Sequence, residues 1–322
     1  MIDLKIKVAA AHSAPVFMNK TATLEKVITL INDAAAQSIE LLAFPEVYVP
    51  GFPYYINCYE PNAQAVTVYQ NQSVVIPDDL HDVQAACQRA KMTVVLGVSE
   101  RMKGGHTLFN SIVTIDEDGT ILGVRRKLQP TWAERYVWGQ GSGYTVKTYE
   151  TKKGYRIGSL ACWEHTMNLA RQALIEQGQH IHVGLWPAMD TTHGFEGIAS
   201  LQLEALMKNH ALTGQVFSIC ASTYVDQSVL DWMEKNIGPQ DKIKVGGGWT
   251  AIIHPFCNVI AGPEEGSEEK LVIAELDLAQ IGLVKAFVDA NGHFKRPEVF
   301  KLSVDSSQRW PDEQDVVGPI PL

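Results

Sequence analysis

"YRIGSLACWEHTMNLARQALIEQGQHIHVGLWP", residues 155–187, holds the reading that decides the fold. "YRIGSLAC" and "HIHVGLWP" are short apolar runs of strand length, and "NLARQALIEQGQ" between them reads as a helix. Strand, helix and strand in succession are the unit of an α/β layer protein.

The same alternation runs outward from there. "KIKVAAAH" reads as a first strand. "NKTATLEKVITLINDAAAQS" follows as a helix with Leu24, Val27, Ile28, Ile31, Ala34 and Ala35 on one face. "IELLAFPE" is the next strand, ended by Pro45. After an irregular, aromatic- and Pro-rich stretch come a helix, "DDLHDVQAACQRAK", and a strand, "MTVVLGVSE". "TLFNSIVTIDEDGTILGVRRK" carries two β-rich runs around Asp118-Gly119, a hairpin signal, so the sheet is expected to be mixed. Beyond residue 187 the helix "GIASLQLEALMKNHALTG" and the strands "QVFSICAS", "GGWTAIIHP" and "KLVIAELD" make the second half resemble the first. No linker divides them. One domain is expected over residues 1–302, with 303–322, polar and Pro-containing, as a tail that is mobile or lies at a subunit interface.

Composition excludes several classes. A chain of 322 residues with 46% apolar and 20% charged residues can bury a core without disulfides or metals. Its net charge of −9 lacks the cationic footprint that nucleic acid or an anionic membrane requires. Cys58, Cys87, Cys162, Cys220 and Cys257 are odd in number and form no C-x-x-C pair, which fits reduced thiols in a cytoplasm. The N-terminus reads as a strand, not a signal peptide, and no apolar run approaches the ~18 residues of a membrane span.

In open α/β sheets chemistry gathers beyond the carboxyl ends of strands. Glu46 follows "LLAFP", Lys127 follows "TILGVRR" and Cys162 follows "YRIGSLA". Taken alone, each also reads as ordinary structure, since a buried cysteine or a charge at a strand end is common.

Taken together, "AFPEVYVPGFP", "RRKLQPTWAERYVWGQG" and "LACWEH" resemble the three signature blocks of the nitrilase superfamily, whose hydrolases use a Glu-Lys-Cys triad. The separations, 81 residues from Glu46 to Lys127 and 35 from there to Cys162, match that order. The resemblance runs from about residue 4 to 302 and implies a four-layer α-β-β-α sandwich. Cys-Trp-Glu with "VWGQG" is most similar to the nitrilase branch, although Met167-Asn168-Leu169 lacks the proline often found there.

What the resemblance implies for chemistry is specific. Cys162 would be the nucleophile, scarce as a thiolate at neutral pH unless a base takes its proton. Glu46 would be that base, Lys127 would offset negative charge developing on the substrate, and Glu134 would hold Lys127. The backbone N–H of Trp163 would add a second donor if the chain turns sharply after Cys162. No cofactor or metal is implied. His180-x-His182 is a metal-like pair that lacks a third spaced ligand, and Cys162 and His165 have finger-like spacing with no second pair; Gly246-Gly247-Gly248 reads as a loop or a close backbone contact.

Phe52, Tyr54, Trp163, His165, Trp186 and Met189 are the candidate substrate-contacting residues, with Trp132 a further aromatic that could wall an apolar pocket. The expected activity is conversion of an organic nitrile to its acid and ammonia by a homo-oligomer, a dimer or a larger spiral or filament. A cyanide dihydratase, an amidase-like hydrolase and a non-catalytic scaffold on the same fold remain open alternatives.

Overall fold

The computed structural model describes residues 4–322; residues 1–3, the start of the expected domain, lie outside the described residues. In chain order the strands are β1 (Lys5–His12), β2 (Leu41–Ala43), β3 (Thr93–Arg101), β4 (Leu108–Ile115), β5 (Ile121–Arg126), β6 (Tyr149–Glu150), β7 (Arg156–Ala161), β8 (Ile181–Trp186), β9 (Phe217–Ser222), β10 (Thr250–Ile253), β11 (Val259–Glu264) and β12 (Lys270–Asp277). They form two six-stranded sheets, ordered β12-β1-β2-β3-β4-β5 and β11-β10-β9-β8-β7-β6.

Each sheet is built on three parallel strands, β1-β2-β3 in one and β7-β8-β9 in the other, with antiparallel strands on either side. The mixed sheet expected from Asp118-Gly119 is present, with β4 and β5 pairing antiparallel across that turn. The likeness of the two halves stops at β12, which returns from the second half to pair with β1 over its whole length. That crossing binds both halves into one body.

The period-2 alternation of β1 shows why the sheets face each other. Ile6, Val8 and Ala10 point into a core shared with Ile157, Ile181, Val183, Phe217 and Ile219 of the second sheet. Ala9 and Ala11 point the other way, onto the helices α1 (Lys20–Ala36) and His81–Ala90, whose Val27, Ile31, Val83 and Ala86 complete an outer core. On the far side Asn168–Glu176 lays Ala173 and Leu174 against Leu160, and Ala199–Gly214 lays Leu203, Met207 and Ala211 against Trp186 and Cys220. The result is a four-layer α-β-β-α sandwich. Among the described residues no helix is long and apolar enough to cross a membrane.

Three local expectations need correction. β2 is three residues long instead of eight: Phe44 still donates its N–H to the Val95 carbonyl at 2.8 Å, but Pro45 has no N–H to continue the ladder. The stretch after Glu46 is not wholly irregular, because Asn62 accepts the Ala65 N–H at 2.9 Å and caps a helix over Ala63–Gln72. The C-terminal segment is anchored on its own chain. Trp310 packs edge-on against Phe109 and donates its Nε1–H to the Gln140 carbonyl at 2.8 Å. Asp312 pairs with Arg126, and Ile320 bridges to Ile121 on the edge of the first sheet. A few well-placed aromatic, apolar and acidic residues outweigh the polar composition that made this segment look loose.

Candidate active site

The carboxyl ends of β2, β5 and β7 deliver the three candidate residues to one place. Glu46 lies three residues past β2, Lys127 directly follows β5 and Cys162 directly follows β7. The backbone turns sharply just after Glu46, at Cys162 itself and two residues before Glu134. Val47, Trp132 and Cys162 have φ of 44°, 42° and 52°, a left-handed region that side chains other than glycine enter only when their surroundings hold them there.

Lys127 is the hub. Its Nζ donates to Glu46 Oε1 at 2.8 Å and to Glu134 Oε2 at 2.7 Å. Its backbone is clamped as well, the N–H donating to the Asn110 carbonyl and the carbonyl accepting from Gly141 N–H, both at 2.8 Å. Glu134 Oε2 also accepts the Thr131 N–H at 2.9 Å, which fixes the turn that carries it. Glu134 is buried.

Glu46 is satisfied on one side only. Oε1 takes Lys127 and the Asn110 Nδ2–H, the latter at 2.7 Å, while Oε2 is buried with no partner. One ligand atom each from Glu46, Glu134 and Cys162 lie within 4.8 Å of one another. Such a trio could hold a cation, but the Lys127 ammonium already bridges the two carboxylates.

Burial sets the protonation pattern. It pushes the Glu46 carboxyl up to about 7 despite the opposing charge of Lys127, with Glu134 adding to the rise. Burial and the Glu46 carboxylate push the Cys162 thiol well above its ordinary range, opposed by Lys127 and by the Trp163 N–H bonded to it. For Lys127 burial works the other way, yet Glu134 and Glu46 outweigh it and hold the ammonium charged. The resting cluster is a thiol, two carboxyl groups and a fixed cation.

A second ion pair braces the first. Arg125, two residues before Lys127, forms a fully buried two-pronged bond to Glu164, two residues after Cys162, at 2.7 and 2.8 Å. Glu164 also accepts the Leu128 N–H at 2.7 Å and the Ala161 N–H at 3.0 Å. One side chain thus ties the lysine segment to the cysteine segment. Neither Arg125, Glu164 nor Asn110 was singled out for this from the sequence; the available signal was a polar residue at an inward position of an apolar strand or turn.

A cleft of about 430 Å³ meets this cluster at Glu134 and is bordered also by Asn57, Trp132, Trp163, Met189 and Phe195 among others. Of the six expected substrate contacts, Trp163 and Met189 border it. The other four lie behind the wall. Phe52 and Tyr54 belong to a buried aromatic core, where the Tyr54 hydroxyl accepts the Ala188 N–H at 2.9 Å. Trp186 supports Trp163 edge-on and stacks on His165, and both residues are buried. An aromatic near a strand end fills core space as readily as pocket wall, so sequence position could not separate the two.

The remaining candidates resolve into structure. His180 accepts the Arg156 N–H at 2.9 Å, whereas His182 meets His165 in the interior, so the pair does not converge on an ion. Gly248 donates its N–H to Asp190 at 2.9 Å, a close backbone contact.

The Carbon-nitrogen hydrolase family profile matches residues 7–286, and with two facing mixed sheets and this acid–lysine–thiol cluster it defines an enzyme that hydrolyses carbon–nitrogen bonds. An aliphatic nitrilase of Rhodococcus rhodochrous is 34% identical over 315 residues, covering 95% of this chain and 81% of that protein. An arylacetonitrilase of Aspergillus kawachii is 32% identical over 307 residues, covering 94% and 93%. The fold is shared with a carbon-nitrogen hydrolase from Helicobacter pylori G27, at a TM-score of 0.72 and 19% identity over 92% of this chain and 97% of that one. The chain belongs to the carbon-nitrogen hydrolase family, in its nitrilase branch.

Proposed function

We propose that this enzyme converts an organic nitrile with an apolar side chain into its carboxylic acid and ammonia through a covalent intermediate on Cys162. The observation that carries the reading is the free Oε2 of Glu46, a buried carboxyl oxygen with no partner beside a buried thiol. A base needs such an unoccupied lone pair, and a carboxyl held near 7 can both take and return a proton at neutral pH.

The steps follow from that geometry. Glu46 takes the thiol proton as sulfur bonds to the nitrile carbon, and returns it to the nitrogen, giving a thioimidate. Water adds to this carbon, the nitrogen leaves as ammonia, and an acyl thioester remains. A second water releases the acid and restores the thiol, so that two waters are consumed for each nitrile. Lys127 stays protonated throughout and offsets the negative charge that develops on nitrogen and then oxygen, with the Trp163 N–H as a second donor; removing such a donor costs about 3–4 kcal/mol of transition-state stabilisation. Glu134 holds Lys127 and reaches the cleft floor, where it positions water.

Trp132, Trp163, Met189 and Phe195 form the apolar wall that would receive the organic part of the substrate. The names of the relatives span aliphatic and arylacetic nitriles, which fits this class. The proposed setting is a cytoplasm that keeps the five free cysteines reduced. The proposed assembly is a homo-oligomer, for which the exposed Leu283, Phe287, Phe294 and Phe300 offer apolar surface; light scattering at working concentration should give at least a dimer.

Ammonia release from aliphatic, aromatic and arylacetic nitriles, their amides and cyanide tests the reading, with Cys162→Ala as the blank. Release from organic nitriles that vanishes in the blank is the expected result. Release from amides or cyanide alone would overturn it.

A further inference from the structure

Behind the nucleophile, on the side away from the cleft, lies a row of buried polar side chains that the proposed steps do not use. His165 Nδ1 is 2.7 Å from the Cys162 carbonyl oxygen, and His165 Nε2 is 2.9 Å from His182 Nε2. His182 Nδ1 is 3.3 Å from the Gln179 amide, whose other end is 2.6 Å from His210 Nε2. His182 and His210 stack with ring centroids 3.6 Å apart. Space for the row is cut into the sheet by two glycines. A Cβ on Gly158 would come within 2.1 Å of the Gln179 side-chain amide, and one on Gly184 within 2.6 Å of Met207 Sδ and 3.0 Å of His165 Nε2.

Counting protons orients the row. A carbonyl oxygen only accepts, so His165 Nδ1 must carry its hydrogen. Burial lowers His165 to about 4 and His182 and His210 well below their ordinary value, so all three rings are neutral near pH 7. A neutral His165 with its hydrogen on Nδ1 has a bare Nε2, which must receive Nε2–H of His182. That leaves His182 Nδ1 bare, so the Gln179 amide, placed with Oε1 at His182 Nδ1 and Nε2 at His210 Nε2, must be turned over to give its NH2 to His182 and its oxygen to the Nε2–H of His210. Amide orientation follows from such a network. Every donor in the row then points toward Cys162.

We propose that His165, backed by His182, Gln179 and His210, is a positioning residue that grips the Cys162 carbonyl and so aims the Trp163 N–H at the reacting atoms. The two groups are ends of one planar trans peptide, in which C=O and N–H point in opposite directions. Holding the oxygen down toward His165 turns the N–H up toward the site, where it meets the Cys162 sulfur. The same grip steadies Cys162 in its left-handed conformation. This inference rests on the nitrile-hydrolase reading, in which that N–H stabilises charge on the substrate.

The test joins kinetics with a direct view of the rings. His165→Phe keeps a ring against Trp186 but has no N–H to donate, so kcat for nitrile hydrolysis should fall about 10- to 100-fold, less than the loss of a whole donor, with KM changing far less. His165→Asn places an amide N–H where Nδ1–H stood and should recover most of that loss. Unchanged kcat in folded His165→Phe, or a folded His165→Asn no better than His165→Phe, overturns the proposal. Nitrogen-15 NMR of the unmutated protein should find Nδ1–H on His165 and Nε2–H on His182 and His210; a hydrogen on Nε2 instead of Nδ1 of His165 overturns it. The spectrum keeps the two readings apart. If the unmutated protein hydrolyses nothing, the catalytic reading falls, and the tautomers still decide whether His165 grips the carbonyl.

Discussion

Two buried ion clusters stand side by side in this enzyme, built from residues only two apart in sequence, and they are finished differently. In the Arg125–Glu164 pair both carboxylate oxygens are fully engaged by two guanidinium nitrogens and two backbone N–H groups, and only Arg125 Nε is left over. In the Lys127 cluster two acids share one cation, and Glu46 Oε2 is bare. The opposing charges and hydrogen bonds of the first pair outweigh burial and hold Glu164 below its ordinary value, while burial lifts Glu46 to about 7. The completed pair suits a brace and the incomplete cluster suits proton transfer. In the proposed reaction, stability and chemistry are thus kept in neighbouring but separate side chains.

The largest effect should come from Glu46→Gln. It removes the proposed base while keeping the shape, and nitrile hydrolysis should fall by at least about 10³-fold. Thermal unfolding should show the opposite sign, with a Tm equal to or above the unmutated protein's, because one excess buried negative charge is gone. Glu46 is raised in the folded state, so its ionisation costs stability above pH 7 and none below about 4.5, where folded and unfolded chains are both protonated. The Tm difference should therefore open as pH rises from about 4.5 to 7. A Tm clearly below the unmutated protein's at pH 8 would break the comparison.

Glu164→Gln should behave in the reverse way. It leaves Arg125 buried and uncompensated, for which the usual cost is about 3–5 kcal/mol, read by urea denaturation. Activity should fall too, through loss of the tie between the Lys127 and Cys162 segments. A variant as stable as the parent would show that Glu164 is not a brace.

The smallest effects separate wall from backing. Trp132→Ala, at an exposed position on the cleft, should shift the preference between large and small nitriles by about 1–3 kcal/mol and leave Tm nearly unchanged. Phe52→Ala, in the aromatic core behind, should instead lower stability by about 3–5 kcal/mol. Equal changes in selectivity from both would place Phe52 back in the pocket.

Local pattern made the α/β alternation legible, while the four-layer sandwich and the four candidate catalytic residues were legible through the resemblance of three sequence blocks to the nitrilase superfamily. Glu46, Lys127 and Cys162 each follow a strand run, and the resemblance implies that Glu134, seven residues beyond Lys127, joins them. The pocket was not, since whether Trp186 or Trp163 meets solvent depends on which helix packs against β8 and β7. The same holds for Asn110 and Glu164, whose partners lie 64 and 39 residues away along the chain. The docked C-terminal segment was hidden for a related reason: its composition is that of a tail, and its anchors, Trp310 and Asp312, are meaningful only beside Phe109 and Arg126.

The central claim is that the bare oxygen of Glu46 takes the proton of Cys162. The direct measurement is the rate at which iodoacetamide alkylates Cys162, followed by peptide mass spectrometry between pH 5 and 9 in the unmutated protein and in Glu46→Gln. The rate should rise through about pH 7 in the unmutated protein and, in Glu46→Gln, be lower by at least about tenfold at pH 8 with no rise near 7. Identical rates and profiles in the two proteins would contradict it.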